Sequence, residues 1–186
     1  MIVLIGASAS GKTEIAKKLV EKHNVKKCIT TTTRPMRIGE TNDFDYHFIT
    51  KEEFVNGINN KDFIEYAIYS DNYYGINRKD VFPNSVVVVE PTGANNLIDA
   101  LKNDAFIVFI ESNKSIRMKR MIARGDKKID IDKRLENDDV IFKREALKRI
   151  DLSLDNNEHK IADLAEKIMN YYSNENWINE RKWFIT

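Results

Sequence analysis

Eight residues near the N-terminus, GASASGKT, run from Gly6 through Ala7, Ser8, Ala9, Ser10, Gly11 and Lys12 to Thr13 and fit the pattern G-x-x-x-x-G-K-S/T. Such a stretch works through its backbone. Glycines at both ends let the chain curl until successive N–H groups point inward, and the N-terminus of a following helix adds positive partial charge. The result is a cradle for a polyphosphate. Lys12 would reach the β and γ phosphates of a nucleoside triphosphate, and the Thr13 hydroxyl would ligate Mg²⁺. The alternative is a plain glycine-rich turn. Context argues against it, because the apolar run Ile2 to Ile5 reads as a strand just before the loop and Glu14 to Lys22 as a helix just after it.

A second anion site is suggested further on. TTTTRPMRIGETNDFDYHF places Arg34 and Arg37 around a proline that restricts the turn, with Tyr46 following. Two guanidiniums and a phenol are the donors a phosphomonoester would use, since arginine binds its oxygens as a fork. Alone, these residues also suit a solvated basic turn. FIEYAIYSDNYYG then sets Glu65 among apolar and aromatic residues and the pair Tyr73 and Tyr74 before Gly75. A carboxylate in an apolar setting needs donor partners, and the Watson–Crick edge of guanine offers two adjacent N–H groups. A third group of cations, Arg117, Arg120 and Arg124, recurs at i, i+3 and i+7 on one helix face, and Arg134 follows a charged stretch. Phosphoryl transfer is mainly positioning and charge neutralisation, so arginines on a closing element suit it.

These residues need a frame. Short apolar runs alternate with helical patterns: Ile2 to Ile5, Glu14 to Lys22, Ser85 to Val89, Ala94 to Lys102, Phe106 to Ile110 and Ser115 to Ala123. The rhythm predicts an α/β fold with a parallel sheet flanked by helices. The runs VLI, VVVV and FIVFI lack polar alternation, as strands buried on both faces do. Between Thr30 and Asn77 short aromatic segments broken by turn sequences predict an inserted lobe of small strands. Arg124 to Asp132, charged and short of apolar anchors, predicts a mobile surface loop.

Length and composition set the outer bounds. The chain has 186 residues, 42% of them hydrophobic, which fits one domain with one core. Lys and Arg number 30 against 29 Asp and Glu, so net charge implies no general affinity for nucleic acid or acidic membrane. Any bound anion must be met by specific residues. The single Cys28 has no disulfide partner and predicts a small buried side chain in a reducing compartment. No apolar stretch approaches the ~20 residues of a membrane span. The expectation is a cytoplasmic protein. Trp177 and Trp183 in the last stretch predict a tail docked on the domain.

With GASASGKT, the TTRP to DYHF block, NYYG and IARG…DIDKRL in this order and spacing, the chain resembles the guanylate kinase family over about residues 1 to 170. The middle block is far more specific than the phosphate loop. The resemblance implies a P-loop NTPase core over about 1–30, 79–123 and 137–186, a GMP-binding lobe over about 31–78 and a lid over about 124–136. It implies ATP and Mg²⁺ as cofactors and GMP or dGMP as the acceptor. By the same resemblance Thr30 and Glu65 contact guanine, and Arg34, Arg37, Tyr46 and Tyr74 hold the GMP phosphate. Glu90 keeps the second of two acidic positions at the end of its strand, and Arg120, Arg124 and Arg134 act with Lys12 on the transferring group. Two positions depart from the family pattern and one assignment stays open. Ile76 stands where a hydroxyl helps frame the base, Val88 replaces the first acidic position, and the adenine-contacting asparagine is either Asn156 or Asn157. A same-fold kinase for another phosphate acceptor fits Ile76 and Val88 but not Glu65, Thr30 and Tyr46. A silent interaction module does not suit an intact SGKT.

Overall fold

The computed structural model describes residues 1–69 and 71–173. The tryptophan tail expected to dock lies outside the described residues. Five strands form the central sheet: β1 (Ile2–Ile5), β2 (Lys26–Lys27), β7 (Ser85–Val88), β8 (Phe106–Glu111) and β9 (Leu152–Asp155). Their order is β2-β7-β1-β8-β9 and every pairing is parallel. Helices α1 (Lys12–His23), α3 (Pro91–Leu101), α4 (Lys114–Ala123) and α6 (Ile161–Tyr172) connect or flank these strands. One buried apolar cluster joins Ile2, Leu4 and Val108 to α1 and α6, and a second joins Val3, Ile5 and Ile107 to α3. The sheet is therefore covered on both faces, as its unbroken apolar strands require. Cys28 is buried in the second cluster.

The inserted lobe is a mixed sheet, β4-β3-β6-β5, made of β3 (Thr30–Thr32), β4 (Tyr46–Phe48), β5 (Phe63–Tyr69) and β6 (Asn72–Asn77). It also contains a helix that the turn-rich sequence did not suggest, α2 (Lys51–Asn59). A capping box between Thr50 and Glu53 starts this helix, and its buried Phe54 stacks on Phe63 with ring centroids 4.3 Å apart.

Arg124 to Asp132 differs from the loop expected of it. Only the turn at 124–127 is irregular, and α5 (Lys128–Ile141) begins at Lys128. The anchors are sparse but sufficient: Ile131 and Leu135, one turn apart, bury against Met121 of α4, with Ala9 packed beside them. The surrounding charge hid this two-residue stripe. Helix α3 likewise starts three residues before its apolar pattern, because Glu90 caps it and Pro91 fits its first turn.

Ile76 is fully buried in the cluster that contains Cys28 and Val87, and it sits opposite Glu65 across β5 and β6. It is core, with no surface on the cleft. Ile76→Ser is expected to lower stability by about 3 kcal/mol, since it removes buried carbons and adds an unpaired hydroxyl. A urea melt with a lower midpoint and unchanged slope would report it.

Candidate active site

The phosphate loop joins the C-terminal end of β1 to the N-terminus of α1, and both of its glycines are required. Gly6 has φ +153° and a Cβ there would lie 2.2 Å from the Ile110 carbonyl oxygen. Gly11 has φ +98° and its Cβ would lie 2.2 Å from Asn156 Nδ2. Asn156 is fully buried and donates to the Ser10 carbonyl at 2.7 Å, so it braces the loop from behind. Asn157 accepts from the Asn113 N–H at 2.7 Å at the start of α4. Neither asparagine lines the cleft.

Lys12 curls back over the loop, its Nζ donating to the Ala7 carbonyl at 2.8 Å and lying 3.4 Å from Ser10 Oγ. Burial brings its pKa down to about 8; Asp138 opposes that shift, while Arg117 and Arg124 add to it. Ser8, Ala9, Lys12 and Thr13 face a cleft of about 480 Å³, whereas Gly6, Ala7, Ser10 and Gly11 form the loop behind that wall.

Thr30, Arg34, Arg37, Tyr46, Glu65 and Tyr74 line the same cleft. Arg34 is held as a fork: Nη2 donates to Glu40 Oε1 at 2.7 Å, Nη1 to the Pro35 carbonyl at 2.6 Å, and the guanidinium lies over the Tyr46 and Phe48 rings. The Arg37 N–H donates to the other Glu40 oxygen at 2.7 Å. Burial, with Arg34 and Arg134 nearby, lowers the pKa of Arg37. Glu40 was not among the residues singled out from sequence, although its place in R-x-G-E within the same short turn was the available signal.

Glu65 is 5% exposed, and its Oε2 has no hydrogen-bond partner. Burial and then the nearby Glu90 push its pKa up to about 8, partly opposed by Asn96. Gly93 leaves the space it needs, since a Cβ there would sit 3.3 Å from Oε2. Glu90 lines the cleft, but both its oxygens accept from the start of α3, from the Thr92 N–H at 2.9 Å and the Gly93 N–H at 2.7 Å.

The arginines of α4 divide. Arg124 lines the cleft and pairs with Asp126, to which Arg134 Nη1 also donates at 3.1 Å. Arg120 departs from its expected place. It stands outside the cleft wall and donates to the carbonyls of Ala9 at 3.1 Å and Asn156 at 2.8 Å. Arg117 is buried, its Nη2 2.8 Å from Asp139 Oδ1 and its Nη1 3.4 Å from Asp138 Oδ2. A shared helix face in sequence thus resolves into three different duties.

The parallel sheet, the loop after its first strand and two cationic groups facing one cleft define a phosphate-loop α/β protein with an inserted lobe and a helical lid. The guanylate kinase family model matches residues 1–172, and the chain belongs to that family. It is 36% identical over 145 residues to the guanylate kinase of Onion yellows phytoplasma, covering 73% of this chain and 68% of the relative. It is 32% identical over 179 residues to that of Aster yellows witches'-broom phytoplasma, covering 91% and 83%. The crystal structure of guanylate kinase from Anaplasma phagocytophilum superposes with a TM-score of 0.72 at 27% identity, covering 91% of this chain and 82% of that one.

Glu65 generates a pH prediction. The folded chain holds its proton up to about pH 8, whereas the unfolded chain releases it near 4.5. Between these values the native state binds more protons, so this residue's contribution to stability falls as pH rises through the window. Glu65→Gln is expected to flatten that part of the stability–pH curve, measured by denaturant melts from pH 5 to 9. An unchanged slope would contradict the assignment.

Proposed function

We propose that the protein transfers the γ-phosphoryl group of ATP to GMP or dGMP, giving ADP and GDP or dGDP. The observation that carries this reading is the unpaired, buried Oε2 of Glu65 in the same cleft as Lys12, Arg34 and Arg37. Two cationic groups hold two anions close together, and the one carboxylate in an apolar wall waits for paired N–H donors. Guanine N1–H and N2–H supply them; adenine presents an acceptor at N1. Guanine thus fits better than a non-nucleotide acceptor, which would leave Glu65 Oε2 without a partner.

The loop N–H groups and Lys12 bind the ATP phosphates, while Arg34, Arg37, Tyr46 and Tyr74 bind the acceptor phosphate. Thr30, buried in the same wall, contacts the base together with Glu65. The acceptor oxygen forms a bond to the γ-phosphorus as the bond to the β–γ bridging oxygen breaks, and the electron pair leaves with ADP. No strong general base is needed, because the acceptor phosphate is already anionic near neutral pH. Lys12, Arg124 and Arg134 neutralise the moving charge. Arg120 acts through the loop it braces.

Among the described residues no group of three His, Cys, Asp or Glu side chains is placed to hold a metal ion. Magnesium fits this donor set even so, since it keeps waters and takes substrate phosphate oxygens with few protein ligands. Thr13, in the first turn of α1 and lining the cleft, would hold it through its hydroxyl. The ion would screen the β and γ phosphate charge. Among the described residues no helix is long and apolar enough to cross a membrane, which is compatible with the proposed cytoplasmic setting.

A coupled ADP-release assay with GMP, dGMP, IMP and AMP tests the reading. GMP is expected to exceed AMP in kcat/KM by roughly ten- to a hundredfold, the loss of two N–H donors to the buried Glu65 carboxyl. Glu65→Gln should shrink that gap. Lys12→Ala should lower kcat at least about a hundredfold with an unchanged circular dichroism spectrum. A preference for AMP, or turnover with no nucleoside monophosphate, would refute the guanine role of Glu65.

A further inference from the structure

Asp138 is an acid on the lid helix that the transfer reaction does not call for. It is 1% exposed, and three elements converge on it. Its Oδ2 accepts from the Ser8 N–H of the phosphate loop at 2.6 Å and lies 3.4 Å from Arg117 Nη1 on α4. Its Oδ1 lies 3.4 Å from the Tyr69 hydroxyl at the end of β5. Its charge also holds up the pKa of Lys12 against burial.

The distances rank these partners. Arg117 has its close carboxylate in Asp139, at 2.8 Å, so Asp138 is not required to neutralise it. The short contact of Asp138 is with the loop. Asp138 lies behind the cleft wall, but through the Ser8 N–H, on a residue that lines the cleft, it gives the loop the kind of oxygen acceptor that an anionic ligand would give it. A triphosphate brings several negative charges to the same N–H groups, and like charges a few ångströms apart in a partly desolvated site exclude one another. One N–H cannot serve both at full strength.

We infer that Asp138 is a positioning residue that seats the lid helix on the phosphate loop, and that a bound triphosphate displaces it. This rests on the reading of the loop as a triphosphate site. The docked acid keeps α5 in register, with Arg134 one turn earlier already facing the cleft, while it lowers affinity for the phosphates that must replace it.

Inorganic tripolyphosphate, titrated by calorimetry into the full chain, is the probe. Asp138→Asn keeps the shape and removes the charge, and Arg117→Met combined with Asp138→Asn removes the neighbouring cation as well. Both are expected to bind tripolyphosphate at least about fivefold tighter than wild type. A role confined to structure predicts equal or weaker binding, and that result overturns the inference. Wild type supplies an arm that needs no variant to fold: the Asp138 side-chain carboxyl ¹³C resonance and the Ser8 amide resonance should both move on saturation. Binding with the carboxyl resonance unmoved overturns the inference alone. Failure of wild type to bind tripolyphosphate would instead reject the triphosphate reading of the loop, and this inference with it.

Discussion

Mutual repulsion among cations is the constraint on which the site depends. Lys12, Arg34, Arg37, Arg124, Lys133 and Arg134 all line one cleft, although the whole chain carries a net charge of only +1. Held this close and partly out of water, they would drive the loop, the lobe and the lid apart unless each cation had a local counter-charge. Acids within the site's own elements provide it. Glu40 takes the Arg34 guanidinium and the Arg37 backbone N–H, and Asp126 takes Arg124 and Arg134. The pKa of Glu40 is lowered by Arg34 and Arg37, and that of Asp126 by Arg124 and Arg134. These carboxylates keep the donors aimed and in place, and an incoming phosphate offers the same oxygens with more charge.

The division between firm and loosely held parts follows from where apolar surface is buried. The loop hangs between β1, whose four residues are buried, and α1, which packs through Ile15 and Leu19. Gly6 and Gly11 meet backbone and Asn156 so closely that the loop has little room to change shape. The lid helix buries only Ile131, Leu135 and Asp138. It is attached by one small apolar cluster and a set of ion pairs, so its opening free energy lies well below that of the core. Polar attachments of this kind can be exchanged for substrate contacts, whereas a broad apolar seam could not.

Much of this was legible because the relevant signals are local. The central strands announce themselves as unbroken apolar runs, and the phosphate loop as fixed spacing between strand and helix. The start of α3 was missed because its first turn rests on a cap and a proline, which leave no apolar period. The lid helix was missed because two anchoring residues, Ile131 and Leu135, are diluted by charge. Arg117, Arg120 and Arg124 share a face in sequence, but their duties depend on acids and carbonyls far along the chain: Asp139, Ala9 and Asn156. Periodicity cannot report partners at such separation. Ile76 was legible as a departure, but its consequence was not, because its membership of the core depends on the distant Cys28 and Val87 that pack in the same cluster.

Glu65 is the exception to the charge logic of the cleft, and the exception explains how the two halves of the site coexist. Glu40, Glu90, Asp126 and Asp138 each have a cation or backbone N–H groups, while Glu65 has the core beside it, Ile76 across the strand pair, Glu90 nearby and only the Asn96 side chain to oppose them. An acid in that setting keeps its proton near neutral pH, so the resting base pocket adds no negative charge to a cleft that must attract phosphates. On the proposed reading, two N–H donors arriving together at this carboxyl would make its ionised form favourable. On the proposed reading, selectivity for the base rests with this one buried carboxyl, and attraction for the phosphates with the arginines, Lys12 and the loop N–H groups.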